Sequence, residues 1–84
     1  MTNWEYCYIA IQVQGTRGNI IWPQPDRLRL EELSIDKRSG DDNTWDMAHR
    51  ALARLGTEGW ELTGLMADAT TARWYCKRPL AEAA

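Results

Sequence analysis

The sequence predicts an α+β domain: a mostly antiparallel sheet of three to five strands with one main helix packed on one face, in the order β-β-(β)-α-β-β. Three observations carry this. Residues 4–14 are dominated by β-branched and aromatic residues and set Cys7, Ile9, Ile11 and Val13 on one parity, as a strand does. Residues 43–55 place Trp45, Ala48, Leu52 and Leu55 at helical spacing. Two further strand-like runs, 60–67 and 72–78, follow the helix and are separated by a short polar turn.

The elements follow in chain order. In the first strand Cys7, Ile9, Ile11 and Val13 form the core-facing set. Trp4, Tyr6, Tyr8, Ala10, Gln12 and Gln14 form the opposite one, because side chains alternate with period two. Gly15 to Gly18 reads as a turn whose glycines supply positive φ where needed. Asn19 to Trp22 reads as a short strand pairing back in a hairpin, stopped by Pro23 and Pro25. Residues 28–35 have two readings. Leu28 and Leu30 share one parity and Leu33 and Ile35 the other, which a bulged strand near Glu31–Glu32 reconciles and a short helix also fits. Asp36 to Asp42 is a charged surface loop.

Asn43 or Asp42 caps the helix, and Asn43 with Asp46 three residues on resembles a capping box. Ala51 widens the apolar stripe, His49, Arg50 and Arg54 lie off it, and Gly56 is the expected left-handed C-cap. Gly59 completes the turn into the next strand. There Trp60, Leu62 and Met66 point one way and Glu61, Thr63 and Leu65 the other. Asp68 to Thr71 makes a turn. The last strand sets Trp74 and Cys76 on one face and Arg73, Tyr75 and Lys77 on the other. Pro79 ends it, and residues 80–84 form a frayed tail. The whole chain, 1–84, is one small domain with an excursion over 15–42.

The helix end, glycine-bounded turn and strand start at Leu52–Leu62, the Trp-Glu-Tyr opening of the first strand and the closing Trp74–Pro79 run carry a resemblance. Together they resemble the domain-of-unknown-function 4177 family of small bacterial and phage proteins. The resemblance implies the β-α-β-β core and a bacterial or phage source. It brings no activity and no catalytic residues, and it does not extend to residues 15–42.

Composition narrows the function classes. Ten basic against twelve acidic residues give a net charge of −2, which argues against generic nucleic-acid binding through clustered positive charge. A small anionic ligand held by two or three arginines stays open. The start lacks a basic segment followed by an apolar one, and no apolar run approaches the ~18 residues of a membrane span. The cytoplasm is therefore the expected compartment, with Cys7 and Cys76 reduced, and the resemblance implies that of a bacterium or a phage-infected host. These two cysteines sit mid-strand on apolar faces and read as buried small hydrophobes. His49 reads as an exposed helix histidine, Ser34 and Ser39 lack a nucleophile setting, and Asp41–Asp42 reads as a capping loop and no metal site. No cofactor, metal or catalytic residue is expected, and the protein is read as no enzyme.

Binding is what remains. A domain this small has a modest core and gains from association. Five tryptophans and three tyrosines, with no phenylalanine, suit half-buried binding surfaces. The expected surface is the second sheet face, with Trp4, Tyr6, Tyr8, Arg73, Tyr75 and Lys77 as candidate ligand-binding residues. That face packs on a copy of itself, packs on the 19–35 excursion, or holds a pocket at such an interface. In the last case the rings stack on a nucleotide-like ligand while Arg73, Lys77 or Arg78 hold its phosphates. Trp22 is a further candidate, either packed over the sheet edge or clamping a ligand or a neighbouring subunit, with Arg17, Arg27 and Arg29 near it in sequence. The expected partners are thus a second copy of the chain and a small anionic ligand.

Overall fold

A computed structural model describes residues 3–24, 27–35 and 43–80. It contains β1 (Trp4–Gln12), β2 (Gly18–Pro23), β3 (Leu28–Leu33), α1 (Thr44–Thr57), β4 (Glu61–Ala67) and β5 (Thr71–Pro79). The strands form one sheet in the order β3-β2-β1-β5-β4, antiparallel at every pairing. The α+β class with a single main helix on the sheet is as the sequence predicts. The loop read over 36–42, Pro25 and tail residues 81–84 lie outside the described residues. Leu80, the first residue of that tail, donates its N–H to the Asn3 carbonyl at 2.8 Å, tying the two chain ends side by side.

β1 is the central strand. Residues directly opposite in an antiparallel pair point to the same face, so the register identifies the core. Cys7 faces Cys76, Ile9 faces both Trp74 and Ile20, and Ile11 faces Ala72 and Gly18. All of these are buried, and α1 lays Met47, Ala48, Ala51 and Leu55 onto them. Trp45 and Leu52 are only partly buried, so the helix stripe is centred nearer Met47 than the spacing predicts. Each fully buried isoleucine, leucine or methionine side chain here contributes about 1.5–3 kcal/mol. Buried Thr44 donates its hydroxyl to the Gln12 carbonyl at 2.7 Å and pins the start of the helix to the end of β1. Asn43 is the N-cap, its Oδ1 accepting from the Asp46 N–H at 3.0 Å.

Three local expectations are corrected. The helix runs through Gly56 to Thr57, and Gly59, at φ 90°, takes the left-handed position. Trp60 N–H bonds the Leu55 carbonyl and Gly59 N–H the Gly56 carbonyl, the paired bonds of a Schellman motif. That register carries Trp60 into the same buried cluster as Leu55. Second, β3 is a strand without a bulge. Its pairing with β2 is unbroken, so Leu28 and Leu30 simply point away from the helix while Leu33 points toward it. Third, the bulge is in β4, between Leu62 and Gly64. An extra residue there reverses the parity. Leu65 consequently pairs with Trp74 on the helix side, and Met66 pairs with Arg73 on the other.

The Gly59 assignment carries a direct test. A Cβ at this position meets nothing within 4 Å, so only backbone strain opposes it. Gly59→Ala is expected to lower stability by about 1–2 kcal/mol. Gly56→Ala, in the helix with equally open surroundings, should raise it by up to ~1 kcal/mol. Paired urea denaturation curves read both signs; the opposite order would restore Gly56 as the cap.

Candidate functional site

The sheet face away from α1 is built by the even positions of β1. Register places Tyr6 beside Lys77, Tyr8 beside Tyr75 and Ile21, and Ala10 beside Arg73. Leu30 stands beside Ile21 and Leu28 beside Pro23 on the outer strands. Six sequence-predicted residues, Trp4, Tyr6, Tyr8, Arg73, Tyr75 and Lys77, therefore share this face. The 19–35 segment does not cover it, contrary to one expectation. Its residues become β2 and β3 and widen the same layer, because Ile20 and Leu33 can then reach the core under α1. No described element lies over the face. Tyr6 is 59 % exposed, Leu28 62 % and Met66 66 %.

The polar groups of the face lie on its rings. The Tyr8 and Tyr75 rings are 5.5 Å apart and tilted by 36°. The Arg73 guanidinium stands 5.9 Å from the Tyr8 centroid, and the Lys77 ammonium 4.2 Å from that of Trp4. The result is a platform with a depression of about 240 Å³ at its β4–β5 corner, between Met66, Asp68 and Arg73. Asp68 anchors that corner. Its carboxylate accepts from the Thr70 and Thr71 N–H groups at 2.8 Å, which holds it below the usual carboxylate range.

Trp22 lies on the other side of the sheet from these six. It alternates with Ile21 and faces Arg29 across β2 and β3, whose guanidinium sits 4.5 Å from the indole centroid. Of the three arginines near Trp22 in sequence, only Arg29 is over its ring. Arg27 bonds Gln24 at 2.9 Å, and Arg17 lines a separate hollow at the β1–β2 turn.

Trp22 and Trp60 together wall two adjoining spaces at the Pro23 end of the sheet. One is a notch of about 610 Å³ lined by Trp4, Tyr6, Trp22, Trp60, Pro23 and Leu80, with Glu5 and Gln24 at its polar edge. The other is a cleft of about 330 Å³ where Arg29, Arg54 and Arg78 meet Glu31 and Glu58. Arg78 stacks on Trp60 at 4.4 Å, donates to the Glu58 carbonyl at 2.8 Å and pairs with the Glu5 carboxylate. Arg54 pairs with Glu31 at 2.5 Å. Trp60 is not among the residues that the sequence singles out for binding. It is indeed buried, yet its indole edge reaches both spaces. The Glu5–Arg78 register at the sheet end would have pointed there, had the pairing of the first and last strands been known.

Elsewhere the chemistry is quiet. Cys7 and Cys76 are free thiols buried directly opposite each other, and the hydrogen bond between them together with burial pushes the Cys7 thiol up. A reactive thiolate needs the reverse setting. His49 is exposed on α1, its ring edge-on to Trp74 at 6.0 Å. Ser34 is exposed, and Ser39, Asp41 and Asp42 lie outside the described residues. Among the described residues, no group of three or more His, Cys, Asp or Glu could hold a metal ion. Among the described residues, no helix is long and apolar enough to cross a membrane. Comparison with protein-family models, curated proteins and solved structures returns no match.

Proposed function

We propose that this protein is a non-enzymatic binding module that works as a homo-oligomer, its open sheet face closing on a second copy and a nucleotide-like anion held at the interface. The observation that carries the reading is the uncovered aromatic face on a five-stranded sheet. Strands spaced ~4.8 Å apart with a rise of ~3.3 Å per residue give it roughly 600 Å² per copy. A facing pair would bury about 1,200 Å², the lower end of specific interfaces. A second copy is the occupant favoured because the face is self-complementary in kind. Tyr6 and Tyr8 lie on the central strand, where a two-fold axis sets them against their own counterparts. The resemblance to the domain-of-unknown-function 4177 proteins belongs to this proposal, and with it a bacterial or phage-infected cytoplasm.

Light scattering on the purified chain tests it. Dimers or larger assemblies are expected at micromolar concentration, and Tyr6→Asp or Leu30→Asp should give monomers whose circular dichroism is unchanged. A clean monomer of the wild type would remove the self-association reading. One observation favours a second reading, an oligomer or protein-interaction surface with no ligand on the face itself. Arg73 and Lys77 already rest on Tyr8 and Trp4, and the platform between them is shallow.

A further inference from the structure

We propose that the notch and the cleft at the Pro23 end of the sheet form one bipartite site for a planar aromatic anion, with the ring in the notch and the anionic group on Arg29. The inference keeps the ligand-binding part of the proposed function but places the ligand at this end of the sheet in place of the open-face interface, so it does not depend on self-association.

The ring half follows from the walls. Trp4, Trp22 and Trp60 all line the notch, whose ~610 Å³ is of the size that holds a small organic ligand. Indole edges and faces there offer stacking, which accepts any flat ring. Three tryptophans around a cavity could equally be a cage for a quaternary ammonium group, and the cations decide between the two. Each indole already carries one: Lys77 on Trp4 at 4.2 Å, Arg29 on Trp22 at 4.5 Å and Arg78 on Trp60 at 4.4 Å. Arg29 and Arg78 line the cleft but not the notch, so they stand on the far side of the wall that Trp22 and Trp60 form. A positive charge on one side of an indole opposes a second on the other. The notch therefore suits a neutral or electron-rich ring and disfavours choline-like cations.

The anion half follows from which arginine is unspent. Arg54 is occupied by Glu31, and Arg78 by Glu5 and the Glu58 carbonyl. Arg29 has no carboxylate partner among the described residues, and its guanidinium carbon lies 4.5 Å from the Trp22 ring centroid. Its edge N–H groups stay available for a bidentate bond to phosphate or carboxylate. Trp22 and Trp60 line both spaces, so a ligand that reaches round this wall can put its ring in one and its anionic group in the other. Nucleoside monophosphates and aromatic carboxylic acids both have this chemistry.

Isothermal titration of the full chain with AMP, GMP, indole-3-carboxylate, adenosine, inorganic phosphate and choline separates the outcomes. AMP or GMP binding at least about tenfold more tightly than adenosine and phosphate supports the site with a nucleotide as source; tightest binding of indole-3-carboxylate supports it with an aromatic acid as source. Arg29→Gln should weaken binding about tenfold or more, the loss of one charge-assisted contact. Trp22→Ala should do likewise, and Arg17→Gln, at the other end of β2, should change nothing. Three results would overturn the proposal. Choline could bind best; or the loss could follow Arg73→Gln and not Arg29→Gln, which would keep a ligand on the module but move it to the open face; or no compound could bind, which removes the ligand reading altogether. A monomer in light scattering bears only on self-association.

Discussion

Trp74→Ala is expected to cost about 3–5 kcal/mol and to leave a large part of the protein unfolded in buffer. Trp74 is 3 % exposed and stands on β5 directly opposite Ile9 of β1 and Leu65 of β4, so it joins three strands. Its ring also meets Trp45 edge-to-face at 5.5 Å, which couples the sheet to the outer flank of α1. Truncation removes the transfer free energy of an indole and leaves a cavity between elements that cannot close independently. Domains retain roughly 0.05–0.15 kcal/mol per residue, which for 84 residues is about 4–13 kcal/mol in all. The loss is thus comparable with the whole margin at the low end. Urea denaturation should show a midpoint lowered in proportion, with an unchanged slope if two-state behaviour holds. Trp74→Phe should fall between the two, and a Trp74→Ala loss below about 1 kcal/mol would mean that the indole is not a packing centre.

Much of this core was legible from period alone. Cys7, Ile9 and Ile11 alternate without interruption, and the Asn43 cap needs only local rules, while the α1 stripe is found by its spacing but is centred nearer Met47 than that spacing gives. What local rules miss is anything set by a neighbour. Thr63 gives no sign of being an extra residue. Only pairing with β5 makes it one, and that single residue exchanges Leu65 and Met66 between faces. Gly56 and Gly59 both offer a helix stop, and the choice falls to whichever lets Trp60 reach Leu55.

The same division holds for the candidate sites. The centre of the open face could be read from the sequence because Trp4, Tyr6, Tyr8, Arg73, Tyr75 and Lys77 come from β1 and β5, which keep period two, whereas Met66 could not, since the β4 bulge reverses its parity. The notch could not, because it collects side chains from the ends of β1 and β2, the approach to β4 and the residue after β5. Trp22 shows the difference within one strand: period two separates it from Ile21, but only the β2–β3 register brings Arg29 over its ring. Cations on aromatic rings recur on both sides of the sheet, at Trp4 and Tyr8 on one and at Trp22 and Trp60 on the other. With charge near balance overall, this lets the chain present arginines without a basic patch.

Gly18→Val is expected to cost about 3 kcal/mol and Gly18→Ala about 1 kcal/mol, against the usual direction for a strand. A glycine inside a strand is normally improved by alanine, by roughly 0.5–1 kcal/mol, because the unfolded chain loses freedom. The turn reading of Gly18 would predict that gain or a strain penalty from positive φ. Neither applies, since Gly18 opens β2, is buried, and is not among the glycines of positive φ. Its hydrogen side faces the core. A Cβ there would stand 2.5 Å from Met47 Cε, 3.0 Å from Ile11 Cγ2 and 3.2 Å from the Ala10 carbonyl oxygen. The methionine end is flexible and can move aside, whereas Ile11 and the Ala10 backbone belong to the central strand and cannot. The steric term therefore exceeds the entropic gain modestly for alanine and clearly for valine. Thermal unfolding should show this as a fall of about 4–8 °C per kcal/mol in a domain of this size. Met47→Ala made together with Gly18→Ala should cost less than the two single changes added, because the first removes the atom that the second would strike. A stabilised Gly18→Ala, or strict additivity of the pair, would show that Met47 does not hold this space.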